Sequence, residues 1–323
     1  MKRFLLSLAL ALPLSAQVKI TQQGNERVSV EIDGQPFTEF WFGPSTNKPY
    51  LDPLRSAAGQ VVTRRYPMVT DVPGESHDHP HHRGLWFTHG NVNGYDFWGN
   101  EDSQAGADKG KGKVVLVRID KLTSGRKTGS IRATFAWKIP SGETLLTETR
   151  TMTFYSEPGI RTLDFDATLS PEKEVTFGDT KEGMFAIRVA APLEQDQPEG
   201  IAQPIRTGKL VNAQNKVTEK NVWGKRSQWA DYSGKIDGQT VGIAIFDNPG
   251  NPRYPTYWHA RGGGLFATNI FGVHDFENDK SRDASLTMRP GQPLRFRFRV
   301  LIHPGDSNAA GINDLYEKYA AAK

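Results

Sequence analysis

Between Val114 and Leu169 the chain alternates apolar and polar side chains almost without a break. Val114–Ile119, Ser130–Lys138, Leu145–Tyr155 and Arg161–Leu169 each set apolar residues at every second position, the period of a strand buried on one face. Ser124-Gly125, Ser141-Gly142 and Pro158-Gly159 separate them, pairs that reverse a chain within a few residues. Four half-buried strands in succession with tight connections make an antiparallel meander. A meander has an apolar face that a second layer must cover.

The remaining segments supply that layer. Val18-Lys-Ile-Thr21, Arg27–Gly34 with Asp33-Gly34 as a hairpin turn, and Phe37–Phe42 precede the meander, and Leu85–His89 reads as a short strand. Val241–Phe246, Leu265–Ile270, Leu286–Met288 and Leu294–His303 follow it, whereas Asn47 to Leu54 has no periodicity. Only Ile312, Leu315, Tyr316 and Tyr319 show helical spacing. Without an internal repeat or a clear linker, the sequence predicts an all-β fold: one large antiparallel β-sandwich over residues 17–323 with a short C-terminal helix.

Residues 1–16 have the form of a secretory signal, with Lys2 and Arg3 before a short apolar run closed by Ser15 and Ala16. The run is too short to span a bilayer and no later one is long enough, so the expected location is periplasmic or secreted, with no transmembrane span. The 323 residues contain no cysteine, which removes thiolate catalysis, iron–sulfur clusters and cysteine-zinc sites. Formal charge is +4, from 40 basic and 36 acidic side chains. These charges are scattered, and the one dense basic run, Lys109-Gly-Lys-Gly-Lys113, is glycine-spaced, so no nucleic-acid partner is expected.

Chemistry concentrates in Ser76–Trp98, which holds five of the eight histidines: His77, His79, His81, His82 and His89. Pro73-Gly74 and Pro80 keep the run out of regular structure. Imidazoles move protons near neutral pH or bind metal. Trp86, Tyr95 and Trp98 add flat apolar faces beside Asp78, Arg83, Asn93 and Asp96, a mixture suited to a half-polar, half-apolar ligand such as a sugar ring. Three uses are open: acid–base or ligand-binding imidazoles, a divalent metal held by a subset of His77, His79, His81 and His89 with Asp96, and backbone-bonded structural histidines. No cofactor is required by any motif.

Two further stretches are candidate walls of a pocket. In Gly178–Arg188, Asp179, Lys181 and Glu182 crowd a turn between glycines and Arg188 follows. A carboxylate beside an ammonium stays ionised and can be a base, a ligand or a clamp on hydroxyls; the plain alternative is a solvated turn. Trp258, His259 and Arg261, with His274, form the second set, whose alternative is ordinary packing. His303 reads as structural.

Pro80–Trp98 resembles the signature of a bacterial family of unknown function labelled "methane oxygenase PmoA". Asp179–Gly183, Gly242–Pro252 and Tyr257–Arg261 resemble its other blocks, and the match covers nearly all of the chain after residue 16. The resemblance implies an exported protein of polymer-degrading bacteria. Methane chemistry is not carried over, because a membrane oxygenase subunit needs spans. More loosely the chain is similar to the galactose-mutarotase-like supersandwich proteins, which bind sugars in a groove on a sheet with histidines and a carboxylate. Together these readings predict a carbohydrate-binding groove with acid–base chemistry of the epimerase, lyase or hydrolase type. His81 or His82 would be one proton carrier and Glu182 its counterpart. Arg83 and Lys181 would hold oxygens, and Trp86 or Trp98 would stack on the ring. His89, Asn93, Asp96, Asp179, Arg188, His259, Arg261 and His274 would be further contacts. A sugar-binding module without catalysis and a metal-binding protein are the alternatives.

Overall fold

The computed structural model describes residues 17–104, 109–195 and 205–322. The expected signal lies outside them. Two eight-stranded antiparallel sheets carry the chain. The first runs, in spatial order, Val18–Gln23, Arg27–Ile32, Gln35–Trp41, Tyr50–Leu51, Leu85–His89, Gly183–Arg188, Leu265–Asn269 and Tyr257–Ala260. The second runs Lys209–Asn212, Trp229–Ile236, Gln239–Asp247, Leu294–Pro304, Ile160–Pro171, Thr144–Glu157, Thr128–Lys138 and Lys113–Thr123. A small two-stranded sheet pairs Val175–Phe177 with Leu286–Met288. The all-β sandwich is therefore as read from the alternation, and the expected meander forms four neighbouring strands of the second sheet.

The sheets meet face to face through an aromatic layer. Phe40 packs on Phe135 at 6.1 Å, Phe87 on Phe165 at 5.3 Å, and Phe185 stacks on Phe298 at 4.6 Å. The helix Ile312–Ala321 closes the outer face of the second sheet, where Ile312, Tyr316 and Tyr319 cover Trp229, Phe246 and Leu301. Within the apolar layer sits one ion pair. Arg150 Nε donates to Glu148 Oε1 at 2.6 Å, Trp137 Nε1 donates to Glu148 Oε2 at 2.9 Å, and the guanidinium lies 4.9 Å over the Phe135 ring.

The edge strand Lys113–Thr123 breaks register twice against its neighbour, at Leu116/Arg118 and Ile119/Lys121. The centre of the first sheet matters most for function. Leu85–His89, Gly183–Arg188 and Leu265–Asn269 are buried on both faces. Inward they present Phe87, Phe185 and Phe266 to the core. Outward they present Trp86, Ala186, Ala267 and Leu265, a second apolar patch completed by Tyr50 and Trp98. Gly84 enters this region at φ +49, where an added Cβ would lie 2.0 Å from the Leu51 carbonyl oxygen.

Removing one partner of a buried ion pair leaves the other uncompensated. Arg150→Leu should therefore lower stability by about 3–5 kcal/mol in urea unfolding. A loss below about 1 kcal/mol would show that the pair contributes little.

Candidate functional site

A cleft of about 500 Å³ opens on the outer face of the first sheet. Its floor comes from strands, namely Arg188, His259 and Leu265, and its rim from loops that carry Asp78, His79, His81, His82, Asp96, Trp98, Lys181, Glu182 and Arg261, with Glu219 at the start of the short helix Glu219–Val222. The histidine run and the Asp179–Glu182 turn thus border one cavity. Gly183 pairs with His89 and Ile187 with Leu85, so the turn and the histidine run enter two adjacent antiparallel strands at opposite ends and border the cleft across their outward face. At Gly183 an added Cβ would lie 2.6 Å from His89 Nδ1, so only glycine lets the two strands approach there.

Asp78 organises the loop. Its Oδ1 accepts from Arg64 Nη1 at 2.6 Å and from Arg188 Nη2 at 3.2 Å. Its Oδ2 lies 2.9 Å from His79 Nδ1. Burial raises the Asp78 carboxyl, but the His79 hydrogen bond and the Arg188 and Arg64 charges outweigh it and hold it well below its ordinary value. A carboxylate oxygen can only accept, so Nδ1 of His79 carries a proton, and in the neutral ring Nε2 is the acceptor. His79 adopts φ +44, an uncommon conformation for a residue with a Cβ, and its side chain is 54% exposed. Its ring stacks on His82 at 4.9 Å, and His82 stacks on Trp86 at 5.0 Å, a three-ring column beside the cleft.

The other histidines divide by environment. Arg188 Nη1 lies 3.1 Å from His82 Nδ1; arginine only donates, so that nitrogen accepts and Nε2 holds the proton. Burial lowers His82 well below its ordinary value and His81 to about 2, with the Lys48 charge adding to the effect at His81. His259 Nδ1 donates to the Lys181 carbonyl at 2.9 Å, leaving Nε2 as acceptor, and burial lowers it to about 3. His89 lies in the core, bonded to the Gly178 carbonyl at 2.8 Å and packed on Phe271 at 4.7 Å; burial lowers it to about 4.

Among the carboxylates, Glu182 is pushed up by burial, countered by Lys181, whose Nζ is 3.6 Å away, and it also feels Asp96 and His79. Asp96 Oδ1 accepts from the Trp98 and Gly99 amides at 2.7 and 2.8 Å, which fixes the turn that presents Trp98. Arg261 pairs with Glu219 at 3.1 Å over the Trp223 ring.

Several expected contacts lie elsewhere. Arg83 forks onto Glu101 with two bonds of 2.8 Å and does not line the cleft. Trp86 is fully buried beneath His82, so it supports the floor instead of stacking on a ligand. Asn93 is a turn residue at φ +54 whose Oδ1 accepts the Thr176 amide. Asp179 pairs with His274 at 2.5 Å and caps the Ala284 amide, outside the cleft. Of the four metal candidates, His89 lies in the core and His77 stacks on Tyr66 at 4.6 Å, apart from His79 and His81 at the cleft. Among the described residues, no three His, Asp or Glu side chains form a metal-holding group.

Arg64, Lys48 and Glu219 join the site beyond the residues expected from the sequence. Arg64 is wholly buried and also donates to the carbonyls of Ser76, Asp78 and His79. Lys48 is buried behind His81, donates to the Trp98 carbonyl at 2.7 Å and to Asn100 Oδ1 at 2.8 Å, and is lowered to about 7 by burial. No local signal marks either residue, since both sit in aperiodic segments.

Every residue lining the cleft falls within residues 27–317, the span over which the sequence matches DUF6807, described as a family of unknown function. The chain belongs to that family. Its description carries neither an activity nor the methane-oxygenase label suggested by the motifs. No curated protein matches. A galactose mutarotase related enzyme from Lactobacillus acidophilus aligns at TM-score 0.34 and 8% identity over 88% of this chain and 97% of that one. A galactose mutarotase-like protein from Lactobacillus casei aligns at TM-score 0.43 and 10% identity over 88% and 100%. A Geobacillus stearothermophilus α-galactosidase aligns at TM-score 0.38 and 10% identity over 90% of this chain and 40% of the enzyme. Likeness at this level carries no activity across.

The buried rings yield a measurable consequence. For His81, His82, His89 and His259 the folded value lies below the unfolded one, so the unfolded chain takes up the proton first. The stability each contributes is present above about pH 6.5 and is lost, at ~1.4 kcal/mol per pH unit, as pH falls toward the folded value. Asp52 and Asp247, each raised to about 7 by burial, act in the opposite sense over the same range. Single rings are therefore the right readout. NMR titration from pH 8 to 5 should show these four imidazoles staying neutral, and an imidazolium shift at any one would overturn its assignment.

Proposed function

We propose that the cleft binds a carbohydrate and acts on it by proton transfer between His79 and Glu182. The observation that carries this reading is the Asp78–His79 pair bordering the same cleft as Glu182. Asp78, held by two guanidiniums, fixes the His79 tautomer and leaves Nε2 as a base. Glu182 is raised by burial, which favours its protonated, proton-donating form. Such a pair suits removal of a proton at one sugar carbon with donation elsewhere, as in epimerisation, elimination or glycosidic cleavage. Trp98, buried like Trp86, supports the cleft from beneath and does not stack on a ring as expected, while Lys181, Arg261 and Asp96 offer polar contacts to hydroxyls.

This reading moves the base from His81 or His82 to His79. His82 has Nδ1 occupied by Arg188 and Nε2 buried, so no substrate proton reaches it. His81 is as deeply buried and resists protonation. The form of residues 1–16 further supports export to the periplasm or medium. N-terminal sequencing of protein recovered outside the cytoplasm should begin near Gln17, and an intact Met1 in a cytoplasmic fraction would overturn that.

The catalytic test starts from a glycan screen with wild-type protein. On a converted substrate, His79→Ala and Glu182→Gln should each lower kcat by ~10²–10⁴ with near-UV circular dichroism unchanged. Full turnover in both variants would end the proposal. Binding without product, unaffected by either variant, would instead favour a non-catalytic module.

A further inference from the structure

A second hollow, of about 450 Å³, lies on the other side of the short helix Val273–Phe276. Val273 lines this hollow, while Phe276 packs against His259 of the cleft at 6.1 Å. Tyr257 lines the hollow and His259 the cleft, two residues apart on one edge strand.

Three guanidiniums border it: Arg226, Arg253 and Arg282. Arg226 is held by the Pro255 carbonyl at 2.8 Å and the Arg253 carbonyl at 2.6 Å, and lies 5.3 Å over the Tyr257 ring. Arg253 donates to the carbonyls of Ile270, Ala284 and Ser285. These carbonyls orient the two side chains and carry no charge themselves. Neither guanidinium makes a direct salt bridge among the described residues, and Nη1 of Arg226 makes no hydrogen bond there, although the Asp179 and Asp283 charges act on Arg253. Arg282 pairs with Glu277, which also accepts from the Tyr257 hydroxyl. Asp283 lines the hollow as well and accepts the Ser285 amide at 2.7 Å. Among the lining residues three guanidiniums thus face one carboxylate, Asp283, whose charge acts with that of Asp179 on Arg253.

We infer that this hollow is a second binding site, for an oxyanion. Two pre-oriented guanidiniums with no direct carboxylate partner among the described residues, beside an aromatic face, present the fork geometry that sulfate and carboxylate oxygens fit, with little ordering cost on binding. The oxyanion comes either from an acidic glycan, as a sulfate ester or uronate, or from a free inorganic anion. The inference does not depend on the chemistry of the cleft.

Calorimetry at low ionic strength tests it with four probes: sodium sulfate, a sulfated disaccharide, a uronate disaccharide and a neutral disaccharide. Binding of at least one anionic probe is expected. Arg226→Gln or Arg253→Gln should weaken it about tenfold or more, the loss of one charge-assisted bond. His79→Ala should leave it unchanged. A sulfated sugar binding more tightly than free sulfate identifies a glycan group as the occupant, and equal affinities identify the free anion. No heat with any anionic probe up to ~10 mM would overturn the inference, since even a weak site gives a Kd near 1 mM. So would wild-type affinity in both arginine variants, or loss caused by His79→Ala alone.

Discussion

The cleft depends on the neutralisation of Arg64. A guanidinium with no exposed surface has to find a negative partner and acceptors for its N–H groups, or the surrounding loop cannot pack over it. Asp78 supplies the charge, and the carbonyls of Ser76, Asp78 and His79 supply the acceptors. The same carboxylate reaches Arg188 on the sheet beneath, so one side chain ties the histidine loop to the strand that floors the site. The geometry of His79, including its positive φ, follows from that tie. Glu194, paired with Arg206 and 3.9 Å from Arg188, extends the arrangement below the floor.

A second constraint is the central part of the first sheet. Three neighbouring strands are covered on both faces, inward by the aromatic layer and outward by the loops of the cleft. Ala186 and Ala267 on the outward face keep the floor low, while Trp86 raises one side as the base of the ring column. The rigid part of the site is therefore strand and stacked ring, and the chemically active part is loop.

Legibility in the sequence followed the physics of burial. The meander and the hairpins were visible because each strand has one wet face, and Asp33 and Gly34, both at positive φ, are a typical two-residue hairpin turn. Tyr257–Ala260 carries no strand signal in the sequence, because its residues, three of the four buried, lack the two-residue period. Tyr50–Leu51 was read as a loop, although its two residues bridge the halves of the first sheet. In the site, the pairing of the histidine loop with Asp179–Glu182 was legible from charge density between glycines. The division of labour among the histidines was not. It rests on partners far away in sequence: Arg188 for His82, the Lys181 carbonyl for His259, the Gly178 carbonyl for His89. Only Asp78 is adjacent to the ring it orients, and that short-range cue was the one available.

The twice-broken register of Lys113–Thr123 bears on life at high concentration. An open strand of 11 residues would otherwise offer a long row of unpaired amides to any passing extended chain. Its two bulges kink that row, and Arg118 and Lys121 set charge beside them. The strand therefore makes a poor template for zippering copies into fibrils, a protection that matters in a chain with no disulfides to hold its sheets shut.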